Sequence, residues 1–222
     1  MKKDPLPTFQ YEEDLWRKKY LVIGIDEVGR GALAGPVGVG AVCFDSAKVD
    51  RLSTMGINDS KKLNAAQREL ISYGIKESIL SSAVTYSSVE VINSKGIVPA
   101  VNIAIRQAVG KIIAELDTKL KIFLLLDAFL VKDIPGVKIG NQKAIIKGDG
   151  ISTTIAAASI LAKVHRDNVM KELSKKHSLY MWEKNKGYGT QDHLKAIRTY
   201  GPSQFHRLLY IRKVMKQIDR SS

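Results

Sequence analysis

YLVIGIDEVGRGALAGPVGVGAVCF, residues 20–44, holds two apolar runs separated by an acid pair and a glycine-rich turn. Tyr20–Ile25 is short and rich in β-branched residues, the composition of a buried strand. It is followed directly by Asp26 and Glu27, then by Gly29, Arg30 and Gly31. Val37–Phe44 alternates Val with Gly and then becomes continuously apolar, so it is expected to form a second strand paired with the first. GRGALA, Gly29–Ala34, also fits the G-x-G-x-x-A pattern of a dinucleotide-binding turn. That turn must open a helix whose amino terminus faces pyrophosphate. Here Pro36 and a strand-like run follow, and two carboxylates stand where pyrophosphate would lie. The dinucleotide reading therefore fails. The glycines instead allow the backbone to approach a ligand closely, and the Arg30 fork suits a phosphate.

Outward from this stretch the pattern alternates. Residues 1–19 read as a polar lead-in. Asn64 caps a helix expected to run to about Ser81, with Leu63 stapling its first turn. SAVTYSSV, residues 82–89, reads as a third strand. IVPAVNIAIRQAVGKIIAEL, residues 97–116, places Val101, Ile105, Ala108 and Ile112 at helical spacing. KIFLLLD and QKAIIKGD, ending at Asp127 and Asp149, are strands that each finish on an acid. STTIAAASILAKVHRDNVMKELSKK, residues 152–176, is a long helix with an Ala/Ser face suited to close packing. From Gln191 onward two more helices flank YGPS. The pattern predicts an α/β fold with a mixed, partly antiparallel sheet flanked by helices. It divides into the lead-in, a main domain over 20–180 and a helical region over 181–222.

Three apolar runs thus deliver carboxylates, Asp26 with Glu27, Asp127 and Asp149, at or just beyond their carboxyl ends. If those strands are neighbours, the acids meet at the sheet edge where open α/β folds commonly bind ligands. Clustered carboxylates repel one another and need neutralising. Mg²⁺ does this with a few carboxylates and substrate phosphate. Two ions about 4 Å apart suit phosphodiester hydrolysis. A lone Asp after a strand is more often a turn former or cap, and Asp149, just ahead of a helix, is the clearest case of that. The adjacent Asp26–Glu27 pair resists the same explanation. Asp167 lies four residues from both Lys163 and Lys171, which points to ion pairing. The four histidines have no zinc-ligand spacing and are assigned structural or surface places.

Composition agrees. Of 222 residues, 35 are Lys or Arg and 22 Asp or Glu, a net charge of +13 that favours polyanionic partners. The single cysteine, Cys43, excludes an internal disulfide and any cysteine-cluster zinc site. The glycine- and proline-interrupted apolar run to Phe44 is shorter than the ~18–20 residues of a membrane span. A cytoplasmic, monomeric protein that binds nucleic acid and no membrane is expected.

GIDEVGRGALAGPV resembles the signature of the type 2 ribonuclease H family, ribonuclease HII. NDSKKL, IKGD, AAASILAKVHRD and NKGYGT continue that resemblance in the family's order, over most of residues 20–210. The resemblance implies a ribonuclease H-like fold with a carboxyl-terminal helical region. It implies endonucleolytic cleavage of RNA in RNA–DNA hybrids and at ribonucleotides embedded in duplex DNA, with Mg²⁺ or Mn²⁺, and a place in DNA repair. The family's acidic site corresponds to Asp26, Glu27, Asp127 and Asp149, the first three as metal ligands. Its substrate-contacting positions correspond to Gly29, Arg30 and Gly31 at the ribose 2′-hydroxyl, Lys61, and Tyr188 at the RNA–DNA junction. Two positions depart from the pattern: Ala128-Phe129 follows the third acid where bacterial relatives usually have Gly, and Asn185 replaces a common His.

Overall fold

The computed structural model describes residues 5–49, 52, 55–116 and 119–219. Five strands form one sheet: β1 (Tyr20–Val28), β2 (Val37–Phe44), β3 (Ile79–Ser87), β4 (Lys121–Asp127) and β5 (Gln142–Ile145). Their spatial order is β3-β2-β1-β4-β5. β1–β2 and β2–β3 pair antiparallel, whereas β1–β4 and β4–β5 pair parallel. The sheet is therefore mixed, as the pattern of runs predicts. The helices are α1 (Gln10–Arg17), α2 (Ala65–Lys76), α3 (Val89–Lys95), α4 (Ile97–Leu116), α5 (Thr153–Lys176), α6 (Trp182–Asn185), α7 (Gln191–Tyr200) and α8 (Leu208–Asp219).

Side chains alternate across β1. Leu21, Ile23 and Ile25 join Leu124, Leu126 and the apolar stripe of α4 on one face of the sheet. By length and composition alone α4 passes as a membrane span. Here that apolar stripe covers the sheet. The opposite face receives α5, buried without a break from Thr153 to Ala162. Close approach requires two glycines. A Cβ at Gly24 would stand 2.4 Å from the Thr154 carbonyl carbon, and one at Gly40 would stand 2.2 Å from the Ala158 oxygen. Gly40 of the Val/Gly alternation in β2 is thus the footprint of a helix lying directly on the sheet, whereas Gly38 makes room for the Tyr86 ring.

Several boundaries differ from expectation. β1 continues to Val28, so Asp26 and Glu27 lie within it, and β5 stops at Ile145, so Asp149 belongs to the turn that follows and does not end a strand. The lead-in contains α1, whose Glu12 is fully buried and accepts hydrogen bonds from the Ser152 hydroxyl at 2.5 Å and the Thr154 amide at 3.0 Å. A carboxylate from α1 therefore helps to cap α5, an arrangement with no local sequence signal. The helix after Asn64 ends at Lys76, not near Ser81, because β3 already begins at Ile79. The inward hydroxyls of β3 find acceptors on α4: Thr85 donates to the Ala104 carbonyl and Ser87 to that of Ala100, both at 2.7 Å. Ser88, read as strand, caps α3.

The carboxyl-terminal helices do not pack apart from the opening stretch. Leu33 and Ala34 share one apolar cluster with Met170, Tyr180, Trp182, Ile197 and Ile211. The backbone continues the connection: the Leu33 carbonyl accepts from the Arg207 amide at 2.8 Å, and the Phe205 carbonyl from the Gly35 amide at 2.9 Å.

Candidate active site

The register of the sheet brings the acids together. Ile25 pairs with Leu126 across the parallel β1–β4 ladder, so the next residues, Asp26 and Asp127, stand side by side. Both continue the face covered by α5, whereas Glu27 continues the opposite face. Asp127 ends β4 opposite Ile145, the last residue of β5. The chain then makes a tight turn, with Lys147 left-handed and a 3-10 turn at Gly148–Gly150, and delivers Asp149 ahead of α5. Asp26, Glu27 and Asp127 line one cleft of about 280 Å³, together with Gly29, Arg30, Gly31, Ser60, Lys61, Ser159, Lys163 and Tyr188. Asp149 is buried behind it.

Each acid is held by identifiable donors. The Glu27 amide donates to Asp26 Oδ1 at 2.8 Å. Burial pushes the Asp26 carboxyl up to about 8; Ser159 hydrogen bonding opposes this, and the charges of Glu27, Asp127 and Asp149 reinforce it. Ser159 is joined in turn to Ser60, with 2.9 Å between hydroxyl oxygens. Burial also raises Glu27, against the hydrogen bond and charge of Arg30, whose Nη1 lies 3.1 Å from Oε1. Asp127 is raised by burial too, although the Gly148 amide donates to its Oδ1 at 2.8 Å. Lys61 donates to Asp149 Oδ2 at 2.9 Å. Burial alone would lower the Lys61 ammonium, but its hydrogen bond to Asp149 and the nearby acids hold it above its ordinary value.

The acids of one cleft thus destabilise one another's charged forms, the electrostatic condition that a hard cation relieves. Among the described residues no three His, Cys, Asp or Glu side chains are already gathered into a metal cage. The donor set nevertheless fits Mg²⁺ or Mn²⁺, since it is all carboxylate oxygen and such ions keep several waters. Asp26, Glu27 and Asp127 face the cleft and would hold the ion.

The glycine turn lines the same cleft. Gly29 has φ of +80°, and a Cβ there would stand 2.1 Å from Arg166 Nε, so only glycine fits. Gly31 is exposed, with open space where a Cβ would be. Arg30 lies over the Phe129 ring at 5.3 Å while contacting Glu27. Phe129 at the departing Ala128-Phe129 pair is thus a shelf for Arg30. Ala128 itself has φ of +70°, a left-handed conformation that favours glycine. Ala128→Gly is expected to stabilise the fold by about 1 kcal/mol; denaturant unfolding measures it, and a loss of stability contradicts the strain.

Tyr188, 37% exposed, faces the same cleft. Its loop is joined to the glycine turn: the Leu33 and Ala34 amides both donate to the Gly187 carbonyl, at 2.7 and 3.2 Å. Asn185, the second departure, orders that loop by accepting from the Gly187 amide at 2.8 Å and donating to the Tyr180 carbonyl at 2.7 Å.

Sequence reasoning missed the groups beneath these loops. Arg166, fully buried in α5, donates to the carbonyls of Pro36 at 3.0 Å, Lys186 at 2.9 Å and Ala34 at 3.2 Å. Its guanidinium also lies 5.6 Å from the centre of the Tyr188 ring. Arg207, equally buried, donates to the carbonyls of Gly35 at 3.0 Å and Arg30 at 2.9 Å. The quoted HRD block contains the first of these, but nothing local marks it as a clamp. Asp167 pairs with Lys163 at 2.7 Å as expected and with Arg68 at 3.8 Å. Lys171 instead contacts Glu69 at 3.9 Å.

The comparisons agree with this architecture. A family model described as Ribonuclease HII matches residues 23–213. The chain is 44% identical over 209 residues to the ribonuclease HII of Desulfitobacterium hafniense, covering 94% of this chain and 75% of that one. It is also 44% identical to the ribonuclease HII of Wolbachia pipientis wMel, covering 90% of this chain and 93% of the relative. Among solved structures, Bst-RNase HIII in complex with Mn²⁺ superposes with a TM-score of 0.71 at 20% identity, covering 91% of this chain and 71% of that one. The ribonuclease HII in the Archaeoglobus fulgidus PCNA complex gives 0.66 at 24% identity, covering 85% and 94%. The mixed sheet with acids at its central strands and these relatives together place the chain among ribonuclease H-type nucleases. This chain belongs to the ribonuclease HII family. It is an endoribonuclease that cleaves the RNA of RNA–DNA hybrids and ribonucleotides within DNA, and the family's reaction depends on a divalent metal.

Proposed function

We propose that cutting and sugar reading are divided between the two walls of this cleft. The acid wall is Asp26, Glu27 and Asp127, with Asp149 behind; the reading wall is Gly29, Arg30, Gly31 and Tyr188. The observation that carries this division is that a single cleft is lined both by the acids and by the joined glycine and tyrosine loops. Bound at the acids, Mg²⁺ or Mn²⁺ would activate water and neutralise charge developing on the phosphate. Asp26 and Asp127, side by side on the α5 face, orient the reacting phosphate's partners from one side. Glu27 does so from the other. Lys61 offsets the charge of Asp149 and, with its side chain 77% exposed, is placed to meet a substrate phosphate. The exposed backbone at Gly31 can approach a ribose without a side chain intervening, and the 2′-hydroxyl is the group that separates RNA from DNA. The Tyr188 ring packs at the neighbouring deoxyribose.

We further take the enzyme to work as a cytoplasmic monomer acting in DNA repair. The +13 charge and the single, buried cysteine support a nucleic-acid-binding protein of a reducing compartment. The basic side chains divide: Lys61 and Lys163 line the cleft, whereas Lys143 lies over the Tyr11 ring at 4.2 Å. Lys184 lies on α6 and Lys186 just after it, where Lys186 donates to the Glu183 carbonyl.

Tyr188→Ala tests the division. It should lower kcat/KM at a lone ribonucleotide in DNA by about tenfold more than within a long RNA tract. A lone ribonucleotide offers one 2′-hydroxyl and one junction, whereas a tract offers many registers. An unchanged ratio of the two kcat/KM values would make Tyr188 an ordinary loop aromatic.

A further inference from the structure

Beneath Tyr188 lies a cluster of buried rings that the reaction itself does not use. Trp182, His193 and His206 are each 0–1% exposed. Their contacts fix where the protons sit. Indole Nε1–H can only donate, and it lies 3.0 Å from His193 Nε2, so that nitrogen must accept. His193 Nδ1 therefore carries the proton and donates to the Tyr188 carbonyl at 2.8 Å. The Ser203 amide can only donate, and it lies 2.9 Å from His206 Nδ1; the Ser203 hydroxyl, also at 2.9 Å, is free to donate to the same nitrogen, so His206 carries its proton on Nε2. That proton points at His193 Nε2, 3.2 Å away, and shares the one lone pair of that nitrogen with the indole N–H. A single directed chain results, from the Ser203 amide through His206 and His193 to the Tyr188 carbonyl. Both rings must be neutral, since a second N–H on either would face a donor. Burial lowers both imidazoles in keeping with this, His206 to about 4.

We infer that His193 is a positioning residue for substrate reading, holding Tyr188 through the hydrogen bond from Nδ1–H to its backbone carbonyl. Tyr188 is otherwise held by its amide, which donates to the Asn185 carbonyl at 2.9 Å, and by Arg166 below its ring. The Thr190 amide shares the Tyr188 carbonyl at 2.9 Å but belongs to the same loop and cannot anchor it. His193 sits on α7 and brings the rigid carboxyl-terminal helices to bear on the loop. His193 and His206 thus take the structural places expected of them, and His193 acts on the cleft from there. This inference rests on the reading of Tyr188 as the junction contact.

Two amide variants separate positioning from simple filling of the core. His193→Asn keeps a donor where Nδ1 stands and loses the acceptor at Nε2. His193→Gln keeps a group near Nε2 and loses the donor to Tyr188. Positioning predicts that His193→Gln lowers the lone-ribonucleotide-to-tract ratio of kcat/KM about fivefold, the loss of one net hydrogen bond. His193→Asn should leave the ratio within about twofold of wild type. Equal ratios in all three proteins, or a greater loss in His193→Asn, would overturn the inference. Nitrogen NMR of the intact wild-type protein gives a readout independent of substrate. His193 must be the Nδ1–H tautomer and His206 the Nε2–H tautomer, and the reverse assignment at His193 would also overturn it. If Tyr188→Ala leaves the ratio unchanged while the tautomers are as stated, the junction reading fails and the hydrogen-bonded support of the loop stands.

Discussion

Asp26→Asn is expected to lower kcat on the order of 10³-fold on every RNA-containing substrate, while hybrid binding in the absence of metal is retained or strengthened. Asn keeps the shape of the side chain and its contact with the Glu27 amide but removes the charge a cation needs. The same substitution should raise the stability of the metal-free protein. The folded-state value of Asp26 lies near 8, above its ordinary range, so the folded protein keeps a proton that the unfolded chain releases. Stability conferred by that proton is present at low pH and is lost as pH rises toward about 8. The Asn variant has no such loss. Its melting temperature without metal should therefore exceed wild type by a margin that widens from pH 5 to pH 8. Saturating Mg²⁺ should reverse the order. Near-wild-type turnover, or a margin that narrows with pH, would remove Asp26 from the metal site.

Arg166→Met is expected to be the most destabilising change at the reading wall. Arg166 serves three carbonyls from two loops, and each orphaned acceptor costs ~1–3 kcal/mol. Relief of the guanidinium's own desolvation offsets part of that. A net loss of about 3 kcal/mol, near 10 °C in melting temperature, is expected. Because the clamp supports both Gly29 and Tyr188, the surviving folded enzyme should also lose discrimination, cutting lone ribonucleotides less well relative to tracts. Asp26→Asn should leave that ratio unchanged. A variant that melts lower yet keeps the wild-type ratio would reduce Arg166 to a purely structural group.

The contrast between these two residues explains what the sequence could reveal. Asp26, Glu27 and Asp127 were legible because a strand's period and its terminal acid are local features, and parallel pairing of β1 with β4 does the rest. Gly29 and Gly31 were legible as a turn, and α5 as a helix suited to close packing. The partners of Gly24 and Gly40 were not, since a glycine in a strand does not say which helix fills its space. Arg166 reaches a carbonyl 132 positions away, and Arg207 reaches one 177 positions away. No periodicity predicts such a contact. The same holds for Glu12, which looked like part of a solvated lead-in and instead caps α5 from 142 positions away. Lys61, expected as a substrate contact, also neutralises Asp149.

The most direct test of the two-walled cleft uses three duplexes of identical sequence, with one ribonucleotide, with none, and with a tract. With Mg²⁺ or Mn²⁺ the purified protein should make one nick at the lone ribonucleotide, several within the tract and none in the all-DNA duplex. All cutting should cease with a chelator. Equal nicking of the all-DNA duplex would contradict reading of the 2′-hydroxyl by the glycine turn, and cutting that survives the chelator would contradict the role given to the acids.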